Sequence, residues 1–378
     1  MIYLHYPAWN EELLYVGGFL CRMVYELEVS KIQTSWETAA AAKPSSYLPH
    51  QLRNRLQERF HHVLKFFTFH HSTPSPKVAQ LLVKSFHECS TLPLRFLSSV
   101  GVLESPDVRV FNPVFAKFLK SLPMLSEYAT VNCAHFIAAL PDRHKIPETA
   151  PSDILQTLCC STLSAEELVE CLRWWLSSRQ NNQTLDMADL LQAASFGGTH
   201  GDTRLSSITH VIDPKILGPH IPHDGPLPQT ILPIAISTRF SPEDLATFKW
   251  GEFPVASWLQ HISRPDVMLA DEKYDITRSV DWASRVLGTL SRVWSKLSKD
   301  MQSESSEVLK NKPCVPTSKG LCSPECSYLP IADNPLFNHF DLPIVGSYSE
   351  FRVDEDMMKL LLLIGVRSNP PVELLSRR

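Results

Sequence analysis

Apolar residues recur at helical spacing through the start of the chain. Leu13, Leu14, Phe19, Leu20, Val24, Leu27 and Ile32 predict a helix over about 9–38. Small residues and proline over 39–49 mark a linker, and a second helix follows over 50–67, ending in Phe66-Phe67-Thr68-Phe69. Ser72-Thr73-Pro74-Ser75-Pro76 is a helix-start signal, because hydroxyls cap free backbone amides and proline fits the first turn. The helix it opens runs through Val78, Leu81, Leu82 and Phe86. The pattern then changes: Leu94 to Arg109 and Val110 predicts a β-hairpin around Gly101, and 113–122 a short helix.

The middle third predicts helices near 151–160, 164–179 and 186–195, a glycine-containing polar connector over 197–202, and a strand over 204–212. A proline-rich connector covers 214–228, and Leu232-Pro233 closes the segment. The last third predicts a helix over 279–298 studded with Trp282, Val286, Leu290, Val293 and Trp294. A helix near 303–311, a hairpin at Gly320 and a helix over 354–364 complete it.

Two of these stretches carry one pattern. Phe96-Leu-Ser-Ser-Val-Gly101-Val-Leu-Glu-Ser105-Pro106-Asp107 precedes Leu122-Pro123, and Cys314-Val-Pro-Thr-Ser-Lys-Gly320-Leu-Cys-Ser323-Pro324-Glu325 precedes Leu342-Pro343. With the middle third, the order helix, helix, hairpin or strand, Leu-Pro occurs about three times. The expected fold is helix-rich α+β, built of repeated helix–helix–β-hairpin (winged-helix-like) units with small antiparallel sheets. Gly101 and Gly320 are the expected structural turns, since only glycine enters positive φ at no steric cost. Ser105-Pro106 and Ser323-Pro324 are expected to end the hairpins. The expected segments are 1–42, an N-terminal helix; 43–145, a basic helical and hairpin unit; 146–250, an acidic helical unit; and 251–378, a C-terminal helical and hairpin unit.

Composition narrows the functional classes. Among 378 residues only 13 are glycine and 29 are proline, which leaves few phosphate-cradling loops and many short elements. The nine cysteines are scattered and odd in number, and no secretory leader pattern opens the chain. Reduced thiols and an intracellular location, cytoplasmic or nuclear, are expected. The longest apolar run, Met357 to Val366, falls short of the ~20 residues a bilayer needs, so no membrane partner is expected.

Net charge is −4 and unevenly spread. Residues 43–145 hold 13 basic and 6 acidic side chains, or +7, and 146–272 hold 7 and 16, or −9. Basic residues come singly, as expected of solvated faces or of two segments that face each other. The alternative is nucleic-acid contact through Arg53, Arg55, Arg59 and Lys65 along one helix, with Arg55 and Arg59 a turn apart.

Candidate chemistry is sparse. No phosphate-binding loop and no dinucleotide fingerprint is present, and no nucleophile elbow. Cys314, Cys322, Cys326 and His339 have zinc-ligand chemistry but lack paired short hooks. His220, His223 and Asp224 cluster around Pro222 in a loop and read as surface residues. Neither set is expected to bind metal, and no cofactor or catalytic residue is expected. Trp174-Trp175 and Phe66-Phe67-Phe69 read as core or helix seams; His61-His62 and His70-His71 read as solvated histidines.

The chain resembles a fungal family of unknown function whose longer members carry an N-terminal GHKL-type ATPase domain, similar to that of sacsin and NO VEIN. The matching stretches include Glu12-Leu-Leu through Val24-Tyr-Glu-Leu-Glu28, Phe66 to Ser75, Leu97-Ser-Ser-Val-Gly-Val and Asp107-Val-Arg109. Others are Leu172-Arg-Trp-Trp175, Leu205-Ser-Ser-Ile208, Gly225-Pro-Leu-Pro228, Pro316 to Gly320, Leu342-Pro-Ile-Val345 and Ile364-Gly-Val-Arg367. The Asn-bearing helix and Asp-x-Gly-x-Gly loop of such an ATPase are absent from this sequence, so the resemblance is to the region after the ATPase, as in a truncated form. It implies a scaffold or chaperone-like context with protein partners, and carries over no functional residue.

Overall fold

The computed structural model describes residues 11–42, 48–67, 75–179, 185–198, 201–212, 217–222, 224–330, 342–346, 351 and 353–369. They gather into two compact units, Met1–Leu205 and Ser206–Arg378. The fold is helix-rich α+β with small sheets. No described helix is long and apolar enough to cross a membrane.

The first unit opens with three helices, α1 (Glu11–Ala42), α2 (His50–Phe67) and α3 (Pro76–Glu88). Ser75 caps α3 by accepting from the Val78 amide, and Pro76 occupies its first turn. The hairpin β1 (Arg95–Leu97) and β2 (Val102–Glu104) follows, then the short helices α4 (Glu127–Asn132) and α5 (Ala134–Ala138). One core joins these elements. Tyr25, Val29 and Ile32 of α1 pack with Phe60 and Leu64 of α2, Phe86 of α3 and Phe96 of β1. Edge-on rings pair Tyr25 with Phe86 at 5.7 Å and Phe60 with Phe96 at 6.3 Å. The same unit holds α6 (Pro151–Cys160), β3 (Thr162–Leu163), α7 (Ala165–Arg179), α8 (Met187–Ala193), β4 (Ser195–Gly198) and β5 (Gly201–Arg204).

The second unit contains β6 (His210–Val211), α9 (Ile234–Ser237), α10 (Pro242–Thr247), β7 (Gly251–Glu252), α11 (Val255–Ile262) and α12 (Pro265–Ala270). Next come α13 (Val280–Trp294), α14 (Lys299–Lys310), the hairpin β8 (Val315–Thr317) and β9 (Gly320–Cys322), and α15 (Glu355–Ile364). Its core forms around α13, whose Trp282, Val286, Leu290 and Val293 pack with Trp258 and Leu259 of α11 and Leu360, Leu361 and Ile364 of α15. Gly365, at φ +109°, ends α15 in a left-handed turn in which the Val366 amide donates to the Leu361 carbonyl.

The two outer hairpins share one hydrogen-bond scheme. Ser99 and Ser318 each donate their backbone N–H to the residue after a Leu-Pro pair, Met124 or Ile344, both at 2.8 Å. The same two hydroxyls donate to the Leu122 and Leu342 carbonyls and accept from the Met124 and Ile344 amides. After each hairpin comes a single 3-10 turn, Ser105–Asp107 or Pro324–Cys326. A short strand segment then bridges in parallel to the returning chain, Arg109 to Met124 and Tyr328 to Ile344. A later segment joins its other side: the Val110 amide bonds the Pro147 carbonyl, and the Leu329 amide bonds the Arg367 carbonyl. Ser105-Pro106 and Ser323-Pro324 are one residue out of step, because the turn starts at Ser105 in one case and at Pro324 in the other.

A third copy stands in the middle, where the sequence pattern predicts a connector and a long strand. The stretch over 197–202 belongs instead to the hairpin β4–β5, paired from Ser195–Arg204 to Gly198–Gly201. The expected strand over 204–212 is interrupted by a 3-10 turn at Leu205–Ser207 before β6. β6 then lies between Ile231 and β7, both parallel, as Tyr328 lies between Ile344 and Arg367. Here the bridging residue precedes the Leu232-Pro233 pair, whereas Met124 and Ile344 follow theirs. Leu232-Pro233 leads into α9 and is not the counterpart of the outer pairs.

Candidate interaction surface

Helix α1 has two apolar faces and only one core to fill. Its inner face presents Leu14, Cys21, Tyr25, Val29 and Ile32, all buried. Its outer face presents Tyr15, Val16, Phe19, Leu20, Met23, Val24 and Leu27, each between 43% and 58% exposed. Their spacing makes one continuous strip along four turns, with no charged residue inside it. Packing decides which face turns outward. Gly18 lies against α3 so closely that a Cβ there would sit 1.8 Å from the Ser85 Oγ. The Tyr25 hydroxyl donates to the Arg95 carbonyl at 2.7 Å. Arg95 reaches back to Glu26 at 3.0 Å and to Gln33 at 2.8 Å. Phe19, Leu20, Val24 and Leu27, which mark the helix in the sequence, are therefore outside the core.

The outer strip has a defined end. Beyond Leu27 the same side carries Lys31, Thr34, Ser35 and Thr38, all exposed. The three hydroxyls donate to carbonyls one turn back, at 3.0, 2.9 and 2.7 Å.

Beneath α1 lie a buried arginine and two buried histidines, Arg22, His87 and His144. The Arg22 guanidinium pairs with Glu26 at 2.9 Å, donates to the Leu92 carbonyl at 3.3 Å and sits 5.6 Å over the Phe86 ring. His87 and His144 face each other with ring centroids 5.6 Å apart, and Arg143 donates to the His87 carbonyl. Burial, then His144, Arg22 and Arg143, push His87 down to about 3. Burial and the same two arginines push His144 down as well. The His87 ring is therefore neutral in the folded chain near neutral pH.

Of the basic residues the sequence singles out on α2, Arg55 is exposed, Arg53 is half-buried and Arg59 donates to Glu28 of α1 at 2.8 Å. The Lys65 side chain lies outside the described residues. Elsewhere the basic segment meets the acidic one. Arg109 grips Asp153 at 2.7 and 2.8 Å, Lys117 pairs with Glu170 at 2.9 Å, and Lys120 pairs with Glu167. Trp174 packs on Phe115 and Phe118, and Trp175 is buried with its indole donating to the Leu185 carbonyl. His61 is buried with its ring centroid 4.0 Å from that of Tyr128, while His70 and His71 lie outside the described residues.

Gly101 and Gly320 both have positive φ, +148° and +91°. A Cβ at Gly101 would touch Trp36 of α1 at 3.5 Å, whereas Gly320 stands in open space. Among the described residues no group of three or more His, Cys, Asp or Glu is arranged to hold a metal ion. Cys314 is buried at the start of β8 and its thiol is pushed up to about 12 by burial, while Cys326 is exposed; His339 and His223 lie outside the described residues. Asp224 is clamped by Arg285, which holds its carboxyl down at about 2.

A family described as "Protein of unknown function (DUF3684)" matches residues 5–376. The chain belongs to that family. No curated protein and no solved structure matches it. In this DUF3684 chain the strip on α1 was hidden from sequence reasoning because both faces of the helix are apolar. The signal was present, however: a helix with apolar residues at 13–16, 19–21, 23–25 and 27 has more apolar surface than one side can bury.

Proposed function

We propose that this chain is a non-catalytic interaction or scaffold region, normally coupled to a neighbouring ATPase module. The observation that carries the reading is the uncharged outer face of α1, held outward by the close approach of Gly18 to Ser85. Monomeric proteins seldom leave so long an apolar strip in water unless something docks on it. The link to a GHKL-type ATPase of sacsin-like proteins rests on the sequence resemblance. The repeated arrangement of hairpin, 3-10 turn and parallel strand bridges is consistent with such a role.

The basic segment supports internal packing over nucleic-acid contact. Arg109, Lys117 and Lys120 are spent on acidic partners, and Arg59, though exposed, on Glu28, so the proposed phosphate-facing pair of Arg55 and Arg59 has one member already engaged by a carboxylate.

The test is a thermal melt of the whole chain with and without Mg-ATP, beside the double variant Leu20→Glu, Met23→Glu. An unchanged midpoint with nucleotide, and a fold that tolerates two charges on α1, are the expected results. A nucleotide-dependent rise in midpoint would overturn the non-catalytic reading. Collapse of the variant would mean that the strip is part of a core.

A further inference from the structure

We propose that the outer face of α1 pairs with the same face of a second copy of this chain, as an antiparallel, two-fold symmetric helix pair. The proposal rests on the interaction reading above and names its partner.

Three observations favour a second copy. Size is the first. Seven half-exposed large side chains leave on the order of 600 Å² of apolar surface, at the top of the range for the largest patch on an ordinary monomer. Complete burial of two such faces would remove about 1,200 Å², where stable specific interfaces begin. Spacing is the second. Val16, Leu20, Met23 and Leu27 follow the alternating four-three interval of a helix seam, flanked by Phe19 and Val24, so each face offers knobs and holes of the same kind. A face that fits itself generates a closed pair and not a filament.

Charge is the third. The strip contains no charge, so nothing within it repels its own image. Glu26 and Glu28 border its C-terminal half and Glu11 stands beyond its N-terminal end. A parallel pair would set each carboxylate beside its copy. An antiparallel pair centred near Cys21 separates them and brings Lys31 level with Glu11 of the other copy.

Sedimentation velocity of the whole chain across the micromolar range tests the idea. A concentration-dependent dimer is expected, with Leu20→Glu, Met23→Glu weakening it about a hundredfold or more while circular dichroism and the melting midpoint stay unchanged. Thr34→Glu, on the polar continuation of the same side, should leave the dimer intact. A dimer that survives the double variant overturns the proposal, because another surface would then be responsible. A monomer at all concentrations also overturns it, and a hydrophobic dye separates the two ways this can happen. Dye binding abolished by the double variant leaves the face open to a different protein, so the interaction reading stands without the dimer. A monomer that binds no dye has its face covered from within, and both readings fall.

Discussion

Gly18 and Ser85 form a close approach between α1 and α3: a methyl group on Gly18 would lie 1.8 Å from the Ser85 Oγ and 2.8 Å from its Cβ. The serine hydroxyl is itself buried and donates to the Leu82 carbonyl at 3.0 Å. Gly18→Ala should therefore cost about 1–3 kcal/mol by overpacking. Gly288, mid-helix in α13 with nothing within 4 Å of its missing Cβ, is the matched control. Gly288→Ala should stabilise by about 0.5–1 kcal/mol. Denaturant midpoints of the two variants should move in opposite directions. Equal shifts would mean that helix propensity, not the α1–α3 contact, decides both.

Replacing Gly320 by Val should destabilise the chain by about 1 kcal/mol or more, because φ of +91° is strained for a β-branched residue although the space is open. Asn in the same place should cost less, since it tolerates the left-handed region. A melt in which Val and Asn behave alike would contradict the backbone assignment.

Acid should loosen the first unit through His87. Its folded pKa is pushed down to about 3, below an unfolded value of ~6.5. Between those values the unfolded chain takes up a proton that the folded ring refuses. The stability associated with the neutral ring is thus complete above pH ~6.5 and falls as pH drops toward 3, by up to ~1.4 kcal/mol per pH unit. The facing groups sharpen this: Arg22 from α1, Arg143 and His144 from the segment before α6, with Glu26 partly offsetting Arg22. Urea midpoints at pH 7.5 and 5 should differ more for the native chain than for His87→Gln. His144, His220 and His261 shift in the same direction and remain in the variant, so the difference between the two chains reports His87 together with its effect on the facing His144.

The Arg109–Asp153 pair joins the strand segment after the first hairpin to the start of α6, and Asp153 also accepts from the Ala150 amide at 2.9 Å. Arg109 holds the carboxyl below its usual range. Asp153→Asn should cost about 1–3 kcal/mol, since the pair is bidentate and largely buried. Lys117→Met, which breaks the exposed pair with Glu170, should cost under about 1 kcal/mol. Comparable losses would show that the pair's geometry carries no special weight.

Thiol chemistry should separate the cysteines by place. Cys159, Cys160 and Cys326 are exposed, whereas Cys21, Cys133, Cys171 and Cys314 are buried, and burial pushes Cys171 up to about 12. A thiol reagent at neutral pH should modify the exposed three quickly in the folded chain. The buried four should follow only at the rate of unfolding, and fast reaction of Cys171 would refute the core around α7.

Local rules carried the sequence reading where one face met one core. Helix α2 and α6 end where periodicity and Pro151 put them, and the outer hairpins sit where glycine needed positive φ. They failed where two signals competed. Gly197, Gly198 and Gly201 signify a connector by composition, yet the backbone there pairs as β4 and β5. Helices α9, α10 and α12, of four to six residues, are too short to show a period, and of the three only α10 carries a side-chain cap, the Ser241–Asp244 box. The stretch expected as a helix over 113–122 holds only a 3-10 turn at Phe115–Lys117. On α1 the period was right and the side was not, because inner and outer residues are equally apolar.

One property of the three copies bears on how such a chain can grow or shrink. The outermost strand of one copy leads at once into the helices of the next: Pro147 stands just before α6, and Gly251 and Glu252 just before α11. Neighbouring copies therefore overlap by a segment, with no spare tether between them. Gain or loss of material is tolerable only in whole steps, cut from one such strand to the corresponding strand of the following copy. A cut anywhere else strands a hairpin without its closing edge.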